Sequence, residues 1–200
     1  MIKSTKTTVE PVESIENKIV DALDKLSQVM RTLAWKTAVE QSISPIQLQV
    51  LTFLLNHSTE LARINRLAKE FNISKASISD TVKLLEQKKL VEKVYSPTVG
   101  RQFIIQLTTE GYKKAQEASF YKYPLLQPLF TLMAEDKEKL FFTLSQVIFA
   151  LHQSELIMGQ RMCQTCKHYR PERERHYCNL LQQYMSLSQL QIDCNEHLIN

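Results

Sequence analysis

The sequence predicts a mainly α-helical protein with one small β-hairpin, a winged helix-turn-helix with long terminal helices for dimerisation. Three observations lead to this fold class. Glycine is scarce, at three of 200 residues, and apolar residues recur at helical spacing along most of the chain. A three-residue link joins two short helical segments. Directly after them the period changes from helical to alternating.

The N-terminal part divides into an arm and a long helix. Residues 1–13 are rich in Thr, Lys and Glu and are predicted to be a flexible arm. Residues 14–43 are predicted to hold the first dimerisation helix, because one stripe of it is apolar. The members of that stripe are Ile15, Ile19, Leu23, Leu26, Met30 and Leu33.

Residues 44–108, here called the reading head, carry the helix-turn-helix and the wing. Ser44, Pro45 and Gln47 suit a capped helix start, and Ser74 suits a second one after the tight link Asn72–Ser74. The helices are predicted over about 45–57, 62–71 and 75–88, and the strands over about 91–95 and 103–107.

Residues 109–160 are predicted to complete the dimerisation helices. Pro124 and Pro128 are expected to break the chain between Tyr123 and Phe130. A last helix is predicted from about Asp136 to Met158 and is apolar on more than one side. Such a helix must be covered on more than one side, by the first helix and by a second subunit.

Positive charge is concentrated in the reading head. The whole chain has a formal net charge of only +4, but residues 61–106 contain nine basic and four acidic side chains. No stretch approaches the ~20 apolar residues that cross a bilayer, and residues 1–13 lack an apolar signal core. These features predict a cytoplasmic protein without a membrane segment.

The second helix of the pair is predicted to read double-stranded DNA in the major groove, since its exposed residues are small, polar or basic. Ala76 suits a thymine methyl group, and Lys75 and Lys83 suit phosphates. Arg101 at the wing tip suits the minor groove. The predicted DNA-binding residues are Arg63, Ser74, Lys75, Ala76, Ser77, Ser79, Asp80, Lys83, Lys93 and Arg101. A solvated helix face is the alternative reading of the same pattern.

In this order of elements the sequence resembles the multiple-antibiotic-resistance regulator (MarR) family. The resemblance rests on residues 44–51, 67–69 and 74–91, and on Leu107-Thr108-x-Glu110-Gly111, and it covers about residues 14–158. It implies a homodimer with intertwined terminal helices that binds a pseudo-palindromic site. The family wing commonly carries an Asp-x-Arg pair, whereas the segment Ser96–Arg101 has no Asp. That departure removes the carboxylate that would orient Arg101, so the main DNA contact is expected from the helix that begins after Ser74.

All four cysteines fall in the last forty residues, which we treat as a separate tail of residues 161–200. The gaps between them are two, eleven and fifteen residues, and a C-x-x-C pair with two further thiolates suits a tetrahedral zinc ion. An iron–sulfur cluster is the alternative. Free thiols, a redox pair and disulfides are further readings. The predicted ligands are Cys163, Cys166, Cys178 and Cys194, with His197 as a substitute for one cysteine.

These features together predict a dimeric transcription regulator, more specifically a repressor. Its DNA affinity would be modulated by a small-molecule effector or by the metal or redox state of the tail. The alternative is a protein-interaction module with a winged-helix scaffold and a structural zinc knuckle. An enzyme is not expected, because no nucleophile with a paired base, phosphate-binding glycine loop or carboxylate pair is evident.

Overall fold

The computed structural model describes residues 14–95, 103–173 and 175–199. In these ranges the chain forms helices α1 Ile15–Glu40, α2 Pro45–Asn56, α3 Ile64–Glu70, α4 Lys75–Gln87, α5 Thr109–Ser119, α6 Tyr123–Phe130 and α7 Ala134–Gln153. The strands are β1 Val91–Tyr95, β2 Phe103–Leu107, β3 Tyr169–Glu172, β4 Arg175–Cys178 and β5 Gln183–Met185. The predicted fold class, mainly helical with a small hairpin, is confirmed. The predicted arm, residues 1–13, lies outside the described residues.

Serine side chains set where the early helices begin. Ser14 and Ser74 each accept a hydrogen bond from the backbone N–H three residues on, at the starts of α1 and α4. Ser44 does the same for α2, and Gln47 accepts a bond from the Ser44 N–H in return. These caps satisfy N–H groups that the first helical turn leaves without partners. The predicted starts of α1, α2 and α4 are therefore confirmed.

The core of the reading head lies between α2, α3, α4 and the hairpin. Leu48, Leu51, Leu67, Ile78 and Leu85 are fully buried there. The link between α3 and α4 turns at Asn72, whose φ of 51° is one that asparagine tolerates better than most residues. This packing holds α4 by one face and leaves its opposite face to solvent.

Strands β1 and β2 form the antiparallel wing hairpin, with Val91 opposite Leu107 and Tyr95 opposite Phe103. The segment that joins the two strands, residues 96–102, lies outside the described residues. Helix α5 then packs closely on the turn between α4 and β1. A Cβ atom on Gly111 would lie 1.8 Å from the carbonyl oxygen of Leu90, so this close approach requires glycine.

Two predictions for residues 109–160 are wrong in detail. The prolines do not break the chain between Tyr123 and Phe130, which form α6. Pro124 lies in the first turn, where its missing N–H is not needed, and Pro128 lies near the end of this short helix. Helix α7 ends at Gln153 rather than near Met158, because the chain turns at Glu155 with a φ of 60°.

The tail contains a sheet that no pattern in the sequence predicted. Strands β3, β4 and β5 pair antiparallel in that order. The isolated bridge Arg161–Asp193 brings the beginning and end of the tail together. None of the helices in the described ranges is both long and apolar enough to cross a lipid bilayer.

Candidate nucleic-acid interface and cysteine site

Helix α4 presents a continuous polar face. Ile78, Val82 and Leu85 are buried against the core, which fixes the rotation of the helix about its axis. The side chains on the other face are exposed, and they are Lys75, Ala76, Ser77, Ser79, Asp80 and Lys83. A helix held by one face with small and basic residues on the other can enter the major groove and approach base edges.

Two of the predicted serines already take part in the start of α4. The Ser74 hydroxyl accepts a hydrogen bond from the Ser77 N–H at 3.0 Å, and the two hydroxyl oxygens lie 2.8 Å apart. Ser74 therefore acts first as the cap of the helix. Ser79 and Asp80, one turn further on, are exposed on the same face.

The remaining predicted contacts lie around this face. Arg63 is half-buried at the start of α3, and no acceptor within the described ranges contacts its Nε. The Lys93 ammonium lies 2.8 Å from the Glu86 carboxylate and 5.3 Å from the centre of the Phe103 ring. Its charge is thus partly compensated within the wing. Arg101 lies outside the described residues, so its predicted role stays a prediction.

The structure brings all four cysteines around one cavity of about 130 Å³, here called the cysteine cavity. Cys163 and Cys166 bracket a tight 3₁₀ turn, Cys178 ends β4, and Cys194 follows the Arg161–Asp193 bridge. None of the four forms a disulfide. His197 does not line the cavity, and its Nε2 lies 2.8 Å from the Thr165 hydroxyl.

The environment of Cys163 and of Cys194 differs from that of a reactive free thiol. Burial raises the pKa of Cys163 and of Cys194, and neighbouring cysteines raise both further. Nucleophilic and redox-sensing cysteines work with a lowered pKa.

Within residues 14–95, 103–173 and 175–199, no three Cys, His, Asp or Glu side chains lie close enough together to hold a single metal ion. The zinc ligand set stays a prediction.

A cluster of four charged side chains, here called the Arg161 joint, connects the tail to the reading head. Arg161 donates from Nη1 and Nη2 to the Glu70 carboxylate, at 2.6 and 3.2 Å, and from Nε to Asp193 at 2.7 Å. His57 Nε2 lies 2.8 Å from Asp193, and the His57 ring stacks on Phe53. Glu70 ends α3 and His57 follows α2, so the tail contacts both helices directly.

The joint shifts the pKa of two of its members towards charged forms. Burial lowers the pKa of His57, but hydrogen bonds to Asp193 and to the Phe53 carbonyl outweigh burial and raise it above its usual value. Burial raises the pKa of Asp193, but bonds from His57 and Arg161 hold it below its usual value. Both shifts favour an ion pair between His57 and Asp193.

No local sequence pattern predicted the Arg161 joint. Its members stand at positions 57, 70, 161 and 193, and no local spacing connects them. Arg161 carried one signal that was visible beforehand, since it lies two residues before the first cysteine. Only the fold of the tail brings it back to the end of α3.

Residues 41–102 match the model of the MarR family. Among solved structures, the Staphylococcus aureus MepR–DNA complex is 22% identical, with a TM-score of 0.57, and the match covers 66% of this chain and 97% of that one. S. aureus MepR in its DNA-binding conformation is 23% identical, with a TM-score of 0.59, over 66% and 98% of the two chains. S. aureus MarR with salicylate and kanamycin is 15% identical, with a TM-score of 0.60, over 70% and 93%.

At these identities the likeness concerns the fold, and it confirms the winged-helix architecture. No curated protein sequence matches the chain. The matched structures leave about a third of this chain uncovered.

Proposed function

We propose that this chain, which carries a MarR family domain over residues 41–102, is a dimeric repressor that binds a pseudo-palindromic DNA operator. Members of that family are DNA-binding transcription regulators and not enzymes. The observation that carries the proposal is the exposed, small and basic face of α4, held rigidly by its buried face. A repressor can act simply by occupying a DNA site that the transcription machinery also needs.

Unsatisfied apolar surface supports the dimer. Along α1, Ile15, Val20 and Trp35 are each more than 60% exposed, as are Phe130 and Met133 in and after α6. Apolar patches of this extent on soluble proteins mark interaction surfaces. A second copy of the chain would cover them through its own α1 and α6–α7. The two α4 helices would then face two half-sites related by the two-fold axis.

The contacts to DNA are assigned by charge and exposure. Lys75 and Lys83 neutralise phosphates, and Ala76 and Ser79 approach base edges in the major groove. Lys93 contributes less, because Glu86 already compensates its charge. Arg63 lies near the phosphate backbone that α3 crosses.

The Arg161 joint supports modulation of DNA affinity by the tail. The Arg161 side chain is only 11% exposed and holds the end of α3 through Glu70. Since α3 packs against α4, a change in the order of the tail would shift the population of reading-head conformations. We propose that the state of the cysteine cavity sets DNA affinity by this route.

A small-molecule effector is the second mode of modulation. A cavity of about 640 Å³ lies between α3 and the tail, beside the Arg161 joint, and Phe149 and His152 are part of its lining. Its volume suits a small organic ligand. Its charged lining is Arg66, Lys69 and Arg161 against Glu60 and Glu70, a slight basic excess that favours an acidic compound. Such a ligand would change the distance between the tail and α3.

Duplex DNA binding tests the proposed function. Selection from a random duplex library should enrich two half-sites about 10 base pairs apart, and the affinity should fall steeply with salt. The double variant Lys75→Ala/Lys83→Ala should lower the salt slope by about 4 in a dimer, about one for each lost phosphate contact.

The matched control is Lys137→Ala/Lys139→Ala, which removes the same charge from α7. It should bind DNA as the wild type does. Absence of duplex binding, or an affinity that does not change with salt, contradicts the proposed function and leaves the protein-interaction module as the better description.

A further inference from the structure

The cysteine cavity is larger than a single metal ion requires. In a tetrahedral zinc site each sulfur lies about 2.3 Å from the ion, so the four sulfurs contact it directly and enclose no void. The cavity that the four cysteines line, together with eight other residues, measures about 130 Å³. That is roughly ten times the volume of about 10–15 Å³ that one water needs.

The spacing of the side chains agrees with this difference in size. No three potential ligands within the described ranges lie close enough together for one ion, yet all four cysteines line the same cavity. An iron–sulfur cluster holds its cysteines farther apart than a single ion does, because each cysteine binds at the outside of a multi-atom core.

We infer that the cysteine cavity binds one iron–sulfur cluster through the thiolates of Cys163, Cys166, Cys178 and Cys194. The inference rests on the proposed function in one respect, since it names the centre whose state would modulate DNA affinity. It takes the iron–sulfur cluster, the alternative that the sequence left open, in place of zinc. It does not depend on DNA binding.

The backbone around the cavity suits sulfur atoms that carry negative charge. The Gln191 N–H donates to Cys163 Sγ at 3.2 Å, and the Glu196 N–H approaches Cys194. Hydrogen bonds to the cysteine sulfurs are one of the means by which proteins stabilise a cluster and tune its potential. A free thiol is a weak acceptor by comparison.

The rest of the lining is mostly apolar. Met185, Tyr169, Leu180 and Leu181 face the cavity beside the cysteines. Cys163 and Cys166 are buried, while Leu180 and Leu181 are half-exposed at the edge. An apolar wall limits the access of water to a cluster and thereby its hydrolytic loss.

Metal and sulfide analysis of the full-length protein tests the inference. The protein is purified without air and then treated, in separate samples, with ferric and ferrous iron plus sulfide, which together supply the oxidation state of the cluster, and with Zn²⁺. We expect equal amounts of iron and acid-labile sulfide, about two to four of each per chain, with broad visible absorption. X-ray absorption at the iron edge should show iron neighbours as well as sulfur.

Cys166→Ser should lose most of the bound iron and the visible absorption. The matched control Thr165→Ser alters the same turn but keeps the hydroxyl that bonds to Met162, and it should retain both. Binding of one zinc ion per chain with no uptake of iron and sulfide overturns the inference. Four titratable thiols after both treatments overturn it as well. DNA binding is measured on the same samples, so a failed cluster and a failed regulator give different results.

Discussion

The reading head and the tail are stabilised in different ways. In the head, Leu48, Leu51, Leu67, Ile78 and Leu85 form part of a continuous apolar core. In the described part of the tail, the buried cluster consists of Cys163, Met185 and Leu190. A unit of about 40 residues or fewer usually needs disulfides, metals or oligomerisation to fold, and the cysteines of this tail form no disulfide. The comparison leads us to expect that the head depends on packing and the tail also on the cluster proposed above.

The largest expected effect separates the two regions most sharply. Cys178→Ala removes one thiolate, and the tail should lose the folding free energy that its bound centre supplies. Amide hydrogen exchange should show nearly complete loss of protection in β3–β5, with α2–α4 unchanged. The exposed tail variant Ser188→Ala should leave both regions protected. Equal loss of protection in head and tail would mean that they fold as one unit.

The second effect concerns packing in the head. Gly111→Ala places a methyl group against the carbonyl of Leu90, and relief of that overlap should cost about 3 kcal/mol of the free energy of unfolding. Denaturant unfolding measures the loss. Lys113→Ala, on the exposed side of the same helix, is the control and should unfold as the wild type does. An unchanged midpoint for Gly111→Ala would mean that α5 moves freely away from the turn.

The third effect tests the connection between the regions. Arg161→Met leaves Glu70 without a cation and Asp193 with His57 alone. It should cost about 2 kcal/mol, at the lower end for a buried pair, because both carboxylates keep some contact with water. Arg170→Met breaks an exposed pair with Glu172 and should cost much less. Thermal unfolding compares the two variants. In Arg161→Met, but not in Arg170→Met, DNA affinity should no longer respond to removal of the cluster proposed for the tail.

The smallest effect is a pH dependence of the joint. Because the pKa of His57 is raised, its contribution is complete below the unfolded value of about 6.5 and is lost as pH rises through the higher folded value. Asp193 and Arg161 face the ring, and Arg161 acts against its protonation. The difference in melting temperature between wild type and His57→Gln should therefore shrink between about pH 6 and about pH 8. A difference that stays constant over this range would contradict the ion pair between His57 and Asp193.

Local patterns predicted the head well and the tail poorly. The caps at Ser44 and Ser74 and the buried stripe of α4 are properties of a few neighbouring residues, so the sequence alone sufficed. The placement of Cys194 beside Cys163 depends on a sheet with short strands and no clear alternation. The half-burial of Arg63 and the pairing of Lys93 with Glu86 also depend on tertiary packing. For this reason we now expect Lys75 and Lys83 to contribute more to DNA binding than Arg63 and Lys93.

The Arg161 joint limits how this tail can be exchanged between proteins. Asp193 belongs to the joint and Cys194, its neighbour in the chain, to the cavity, while Glu70 and His57 belong to the head. A transplanted tail would carry Arg161 and Asp193 into a partner without the matching glutamate and histidine. We expect chimeric proteins to keep the contact between head and tail only when all four residues are transferred together. Head and tail would then be exchanged as one unit rather than as two interchangeable modules.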